Sequence, residues 1–111
     1  MSTRILVVDD DPSISEMVAI LLESEGYDAT VCANGTSVMA LFRAERPDLV
    51  LLDVMLPGLD GVSVCKLIRD ESDVPIIMMS ARTDSLDVIA GLEAGADDYV
   101  TKPFSPRQVV A

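Results

Sequence analysis

The sequence is poor in positive charge and contains no histidine. Eight lysine and arginine residues stand against 19 aspartate and glutamate residues, so the formal net charge is -11. Such a balance repels nucleic acid and anionic membrane surfaces over most of a protein's surface. We therefore expect that this segment does not bind DNA by itself.

Long apolar runs are also absent. No stretch approaches the roughly 20 residues that a membrane-spanning helix needs. The N-terminus enters a strand-like run almost at once and lacks the charged and apolar regions of a secretion signal. A cytoplasmic location is the expectation that follows.

The sequence is short and has little cysteine. Its 111 residues, 50% of them hydrophobic, are enough for one domain with one core, and a second domain would not fit. Cys32 and Cys65 are expected to be reduced core residues, because disulfides are uncommon in proteins without an export signal.

The most informative stretch runs from residue 48 to residue 61 and reads D-L-V-L-L-D-V-M-L-P-G-L-D-G. Its apolar run, 49–52, shows no alternation, which is typical of a parallel strand covered on both faces. Asp53 follows directly, and the turn dipeptides Pro57-Gly58 and Asp60-Gly61 come soon after. Asp53 is therefore predicted to lie where a buried strand opens into a loop, the usual place for chemistry in an open α/β sheet.

Apolar runs alternate with amphipathic segments along the whole chain, a pattern typical of βα units. Asp11 is predicted to cap the first helix, with Pro12 at its first position and Gly26 at its end. The second strand alternates apolar with more polar residues and is expected at a sheet edge. The predicted strands are 5–8, 27–33, 49–52, 75–79 and 98–101; the third helix is predicted over 62–69, and the fourth ends at Gly95.

These elements predict a flavodoxin-like, doubly wound, five-stranded parallel sheet in the order 2-1-3-4-5, with helices on both faces. Residues 1–111 would form a single domain. Ser105, Pro106 and Gln108 have the spacing of a helix start, yet the sequence ends at Ala111. We therefore expect a shortened form that lacks most of a fifth helix.

That topology brings five polar residues to one edge of the sheet. Three carboxylates there would repel one another unless a cation were bound, and Mg²⁺ fits best because it prefers carboxylates, waters and phosphate oxygens. A lysine and a hydroxyl nearby would suit a phosphoryl group, so the set predicts phosphoryl transfer onto an aspartate. The residues are Asp9, Asp10, Asp53, Ser80 and Lys102.

Four motifs follow one another along the chain: Asp9-Asp10, Asp53 with its sequel M-L-P-G, Ser80-Ala81 and Lys102-Pro103-Phe104. In this order and spacing they resemble the receiver domain of two-component response regulators, and the match covers the whole chain. The run G-A-D-D-Y-V-T-K-P-F, 95–104, is similar to the OmpR/PhoB class of transcription factors. The resemblance implies a CheY-like fold and a signalling phosphoacceptor that assists its own phosphorylation and dephosphorylation without being a true enzyme.

The resemblance also implies site roles and partners. Asp53 would accept a phosphoryl group from a phosphohistidine on a sensor histidine kinase. The implied cofactor is Mg²⁺, with Mn²⁺ as an alternative, ligated by Asp10, Asp53 and the backbone carbonyl of Met55, while Asp9 places a metal-bound water. A C-terminal winged-helix domain, absent from this sequence, would bind DNA in the full protein.

Switching would involve the phosphoryl contacts. Lys102 and the backbone of Ala81 would hold the phosphoryl group, Ser80 would move toward it, and Tyr99 would turn inward. The change would reshape the surface of helix 4, strand 5 and helix 5, through which this class forms homodimers. From composition alone, Tyr99 is equally well explained as an edge-strand aromatic and Ser80 as an ordinary strand-end hydroxyl.

Three other functions fit parts of the pattern. A Mg²⁺-dependent phosphatase with an aspartyl nucleophile would use the D-x-D of 9–11, but it needs a larger cap. An FMN-binding flavodoxin would need serine, threonine and glycine donors there, where aspartates would repel a phosphate. A receiver-like interaction module independent of phosphate is the third. Asp97 and Asp98 are interpreted as surface or intersubunit ion-pair partners and not as metal ligands.

Overall fold

The structure is a computed structural model that describes residues 3–54, 56, 59–80 and 95–101, with the backbone alone described at 80 and 98–101. Strands and helices alternate along most of this part of the chain, as the pattern predicts. The strands are β1 (Arg4–Val8), β2 (Asp28–Cys32), β3 (Leu49–Asp53), β4 (Ile76–Ser80) and β5 (Asp98–Thr101), and the helices are α1 (Pro12–Ser24), α2 (Val38–Glu45) and α3 (Gly61–Glu71).

The sheet is parallel throughout and has the order β2-β1-β3-β4-β5, which confirms the predicted topology. β2 lies at one edge, as expected, and β5 lies at the other. β1 and β3 are neighbours, with Val8 opposite Leu52, so their carboxyl ends emerge side by side. The predicted fourth and fifth helices lie outside the described residues.

The central strands are buried on both faces, which explains why their apolar runs do not alternate with polar residues. Successive side chains point to opposite faces of the sheet, so each strand contributes to two clusters. On one face Leu6, Val50 and Met78 pack with α2 and α3, and on the other Val7 and Leu51 pack with α1. Fully burying one such side chain contributes roughly 2 kcal/mol.

Helix α1 begins as the sequence predicts. The side chain of Asp11 accepts a hydrogen bond from the backbone N–H of Ser13 at 2.9 Å, and Pro12 occupies the first helical position. After the cap residue Glu25 the chain turns at Gly26, whose φ of 92° is unfavourable for other residues. The described part of the chain contains no helix with both the length and the apolarity needed to cross a bilayer.

One local expectation needs correction. Helix α3 starts at Gly61 and not at 62, and Asp60, expected in a turn dipeptide, is its N-cap and accepts from the N–H of Ser63 at 2.9 Å. In β2, Cys32 is 3% exposed, which confirms the expectation that it is a core residue, whereas Val31 is 39% exposed. Because neighbours in a strand face opposite ways, burying Cys32 against α2 directs Val31 outward at the sheet edge.

Candidate functional site

Three carboxylates meet at the carboxyl ends of β1 and β3. Asp9, Asp10 and Asp53 each place a carboxylate oxygen within 4.8 Å of the others. Asp9 is 1% exposed and Asp53 is 5% exposed, whereas Asp10 is exposed to solvent. The structure therefore brings together the three acidic residues that the sequence predicts for this edge.

The strands themselves place these residues. Asp53 is the last residue of β3, and the next backbone N–H, that of Val54, donates to the carbonyl of Met79 on β4 at 3.0 Å. Asp9 directly follows β1, and its N–H donates to the carbonyl of Cys32 on β2 at 3.0 Å. Each aspartate thus has its backbone tied to a neighbouring strand, which limits how far its carboxylate can move.

Asp9 also organises the loop into α1. Its Oδ1 accepts a hydrogen bond from the N–H of Asp11 at 3.0 Å, and Asp11 in turn caps the helix. The exposed Asp10 lies between these two anchored residues. The three consecutive aspartates therefore have different places: Asp9 stabilises the loop, Asp11 caps the helix, and Asp10 projects to the surface.

The loop after β3 is held by two close backbone contacts. The N–H of Gly61 donates to the carbonyl of Val54 at 3.0 Å, which closes the loop on the strand it leaves. Gly35, in the turn before α2, lies against the backbone of Leu59, and a methyl group at position 35 would overlap the carbonyl oxygen of Leu59. These contacts fix the start and the end of the segment that follows Asp53.

The buried pair of carboxylates is electrostatically unfavourable by itself. Two unit charges within 4.8 Å of each other repel by on the order of 3 kcal/mol or more at the effective dielectric of about 20 that suits protein sites. A divalent cation would reverse this balance. Because every donor offered by Asp9, Asp10 and Asp53 is a carboxylate oxygen, the set fits a hard ion such as Mg²⁺ and not a soft one.

The remaining predicted site residues are described only in part. Ser80 is the last residue of β4 and lies opposite Thr101 in β5, and Tyr99 lies opposite Met78, but only their backbones are described. Met55, Ala81 and Lys102 lie outside the described residues, so their predicted roles stay predictions.

Sequence reasoning missed the residue that links α3 to the start of β5. Arg69 forms an ion pair with Asp97 at 2.6 Å. Asp97 is thus a surface ion-pair partner, as interpreted, and its partner belongs to the same chain. Arg69 carried no signal in the sequence, because the residues it contacts near β5 lie 26 and 28 positions away.

A separate cleft lies between the ends of α2 and α3 and contains none of the clustered aspartates. Its lining residues precede β3 and β4 in the chain, so it is at the amino edge of the sheet, away from Asp53. The cleft is lined by Phe42, Arg43, Arg46, Pro47, Glu71 and Ser72.

Comparisons with known proteins find similarity over nearly the whole chain. Residues 5–111 match the family model described as the response regulator receiver domain. The chain is 56% identical over 111 residues to the DNA-binding response regulator MtrA of Mycolicibacterium smegmatis, covering 100% of this chain and 49% of that protein. It is 60% identical over 109 residues to the transcriptional regulatory protein CseB of Streptomyces coelicolor, covering 98% of this chain and 47% of that protein. The chain thus spans about half the length of these relatives.

Solved structures show the same fold. The BeF3-activated N-terminal receiver domain of Klebsiella pneumoniae RstA superposes with a TM-score of 0.92 at 34% identity, covering 97% of this chain and 92% of that one. The chemotaxis response regulator CheY4 of Vibrio cholerae gives a TM-score of 0.90 at 30% identity, covering 99% of this chain and 94% of that one.

Proposed function

This chain belongs to the response regulator receiver domain family, and from that premise we propose that Asp53 is the residue that accepts the phosphoryl group. The observation that carries the proposal is the burial of Asp53 at the end of a central strand, with the carboxylates of Asp9 and Asp10 within 4.8 Å. A buried carboxylate at a fixed position is suited to attack the phosphorus atom of a bound phosphodonor.

In the proposed reaction an oxygen of Asp53 attacks phosphorus in line with the departing group. The new bond joins this oxygen to phosphorus, while the bond from phosphorus to the donor breaks and the donor keeps the electron pair. For a phosphohistidine donor the leaving atom is an imidazole nitrogen, which regains a proton from solvent. Asp53 then carries an acyl phosphate.

We propose that Asp10, Asp53 and the backbone carbonyl of Met55 hold Mg²⁺, with Asp9 contacting it through water. The indirect role of Asp9 is supported by its Oδ1, which already accepts from the N–H of Asp11. When bound, the ion supplies positive charge that offsets the carboxylates and the phosphoryl oxygens. Mn²⁺, which also prefers oxygen ligands, is an alternative.

Four further residues take part in the proposed site and its switch. Lys102 would pair with the phosphoryl group, the backbone of Ala81 would donate to it, and the Ser80 hydroxyl would turn toward it while Tyr99 moves inward. The parallel pairing of β4 with β5 supports this grouping, because Ser80 and Thr101 lie side by side and Lys102 follows Thr101 in the sequence.

The partners of the full protein are part of the proposal and rest on the family to which the chain belongs. We propose that a sensor histidine kinase is the phosphodonor, in the cytoplasm, and that phosphorylation promotes homodimers through the predicted helix 4, β5 and the predicted helix 5. MtrA is named as a DNA-binding response regulator and CseB as a transcriptional regulatory protein. A winged-helix domain beyond this sequence would accordingly carry DNA binding.

The proposal is tested by incubating the protein with acetyl phosphate and Mg²⁺ and measuring the mass gained. Wild type should take up one acid-labile phosphoryl group, and Asp53→Asn should take up none. Asp11→Asn is the matched control, because Asp11 is a neighbouring aspartate that caps α1 and asparagine caps equally well. Equal labelling of Asp53→Asn and wild type would overturn the assignment, and no labelling of wild type would favour the phosphate-independent module.

A further inference from the structure

Arg69 uses all three of its guanidinium nitrogens to join the entry to β5 with the segment that leads into β4. It lies in the last turn of α3. Its Nε donates to the carbonyl of Gly95 at 2.8 Å, one terminal nitrogen donates to the carbonyl of Val74 at 2.6 Å, and the other pairs with Asp97 at 2.6 Å. The side chain is only 20% exposed, so these are well-shielded contacts.

Asp97 extends the same network to β4. Its Oδ2 accepts from the N–H of Ile76 at 2.8 Å as well as from Arg69, and its own N–H donates to the carbonyl of Ile76 at 2.8 Å. The first β4–β5 pair, Ile77 with Asp98, follows directly. The network therefore closes the ladder at the point where the two strands begin.

Gly95 gives Arg69 room to reach this point. Its φ of 109° lies in the region that favours glycine, and a methyl group there would be 2.7 Å from Cγ of Arg69. The aliphatic part of the arginine thus passes over the glycine while its guanidinium binds the glycine's carbonyl. Both the backbone turn and the arginine contact depend on the missing side chain.

β5 is the strand whose register most needs support from contacts outside the ladder. It lies at the sheet edge, is four residues long and pairs with β4 alone. A shift of one residue would move the strand's end by about 3.3 Å and turn every side chain to the opposite face. A short edge strand resists such a shift weakly unless something outside the ladder holds its position.

We propose that Arg69 and Asp97 are positioning residues that fix the register of β5 against β4. By fixing it, they set where the chain leaves β5 at Thr101 and so where the next residue, Lys102, begins. The inference rests on the proposed function, in which Lys102 contacts the phosphoryl group. Arginine is required because a lysine ammonium is a point charge and does not bridge Gly95, Val74 and Asp97 in one plane.

The test compares Arg69→Gln and Arg69→Lys with Arg43→Gln. Arg43 is a suitable control because it also forms an arginine–carboxylate pair, with Glu71 at 2.9 Å, on α2 and α3 and away from β5. Each protein is assayed for the rate of phosphoryl uptake from acetyl phosphate, for Mg²⁺ affinity and for hydrogen exchange of the β5 amides. All are measured well below their unfolding temperatures.

Arg69→Gln should slow phosphoryl uptake by about tenfold or more, the effect expected when a group is misplaced by an ångström or so. Its Mg²⁺ affinity should stay within about twofold of wild type, because Asp53 ends β3 and Asp9 and Asp10 follow β1, so none of them is on β4 or β5. The β5 amides should exchange faster. Arg69→Lys should be intermediate, and Arg43→Gln should match wild type.

Two results would overturn the proposal that Arg69 and Asp97 fix the register of β5. The first is phosphoryl uptake by Arg69→Gln at the same rate as by Arg43→Gln. The second is a fall in Mg²⁺ affinity parallel to the fall in uptake rate, which would indicate general loosening of the fold. Failure of the proposed function looks different, because wild type itself would then take up no phosphoryl group. In that case exchange at β5 alone decides whether Arg69 fixes the strand, and unchanged exchange rejects it.

Discussion

The α-carbon of Gly61 lies against the backbone of Asp53, so closely that a methyl group at position 61 would overlap the carbonyl oxygen of Asp53. The first residue of α3 therefore packs on the residue that ends β3. The φ of Gly61 is not among the positive values, so the need for glycine here is one of space and not of backbone conformation. We therefore expect the position of Asp53, the proposed phosphoacceptor, to depend on this contact.

Gly61→Ala should lower both the free energy of unfolding and the affinity for Mg²⁺. The added methyl must displace backbone, which costs about 1–3 kcal/mol in overpacked sites, and the displaced backbone is that of Asp53. Denaturant unfolding and calorimetric titration with Mg²⁺ measure the two effects.

Gly26→Ala is the control for that substitution. Gly26 has a φ of 92°, and no atom lies within 4 Å of the place where a methyl group would be added, so alanine there introduces backbone strain alone. It should cost about 1–2 kcal/mol and leave Mg²⁺ affinity unchanged. If both alanine variants bound Mg²⁺ like wild type, the contact between Gly61 and Asp53 would have no role in the site.

Asp10→Asn should weaken Mg²⁺ binding while leaving the fold intact. The substitution removes an expected ligand, but it also removes one negative charge from a cluster of three carboxylates. Without Mg²⁺ the variant should therefore unfold at the same temperature as wild type or a higher one. Saturating Mg²⁺, which raises stability by about 2.7 kcal/mol at a hundred times its Kd, should protect wild type more than the variant.

Thermal unfolding in EDTA and in Mg²⁺ measures this difference. Asp28→Asn provides the matched control, since Asp28 is an exposed aspartate at the start of β2, the end of that strand away from Asp9. A Mg²⁺ response in Asp10→Asn equal to that of Asp28→Asn would remove Asp10 from the metal site.

Cys65 predicts a pH dependence of stability. Burial raises the pKa of its thiol above the ordinary value of 9.0, while the charge of Arg69 acts in the opposite direction and that of Asp97 adds to the rise. The folded state therefore holds the proton more tightly than the unfolded state. This contribution is complete below pH 9.0 and is lost as the pH rises through the folded pKa.

Stability should accordingly fall more steeply in wild type than in Cys65→Ala as the pH rises above 9.0, the ordinary thiol pKa. Urea unfolding at several pH values gives the two slopes. Val64→Ala, which removes a neighbouring buried side chain without a titrating group, should keep the wild-type slope. Identical slopes for wild type and Cys65→Ala would contradict the raised pKa.

Much of this protein can be predicted from short stretches of sequence. The alternation of strands with helices indicates the parallel sheet and its order, and the cap and proline indicate where α1 starts. The apolar run before Asp53 indicates the edge where Asp9, Asp10 and Asp53 meet. These features follow from hydrophobic patterning and capping, which depend on residues close together in the chain.

The remaining features are visible only in the folded protein: Gly61 contacts Asp53, and Arg69 pairs with Asp97. Each of these outcomes depends on which surfaces meet after the elements pack, and a partner 28 residues away leaves no mark in the local pattern. Local patterns in the sequence predict where the acidic site forms, whereas the contacts that hold it in place come from packing between distant segments, because shape and close contact exist only in the folded chain.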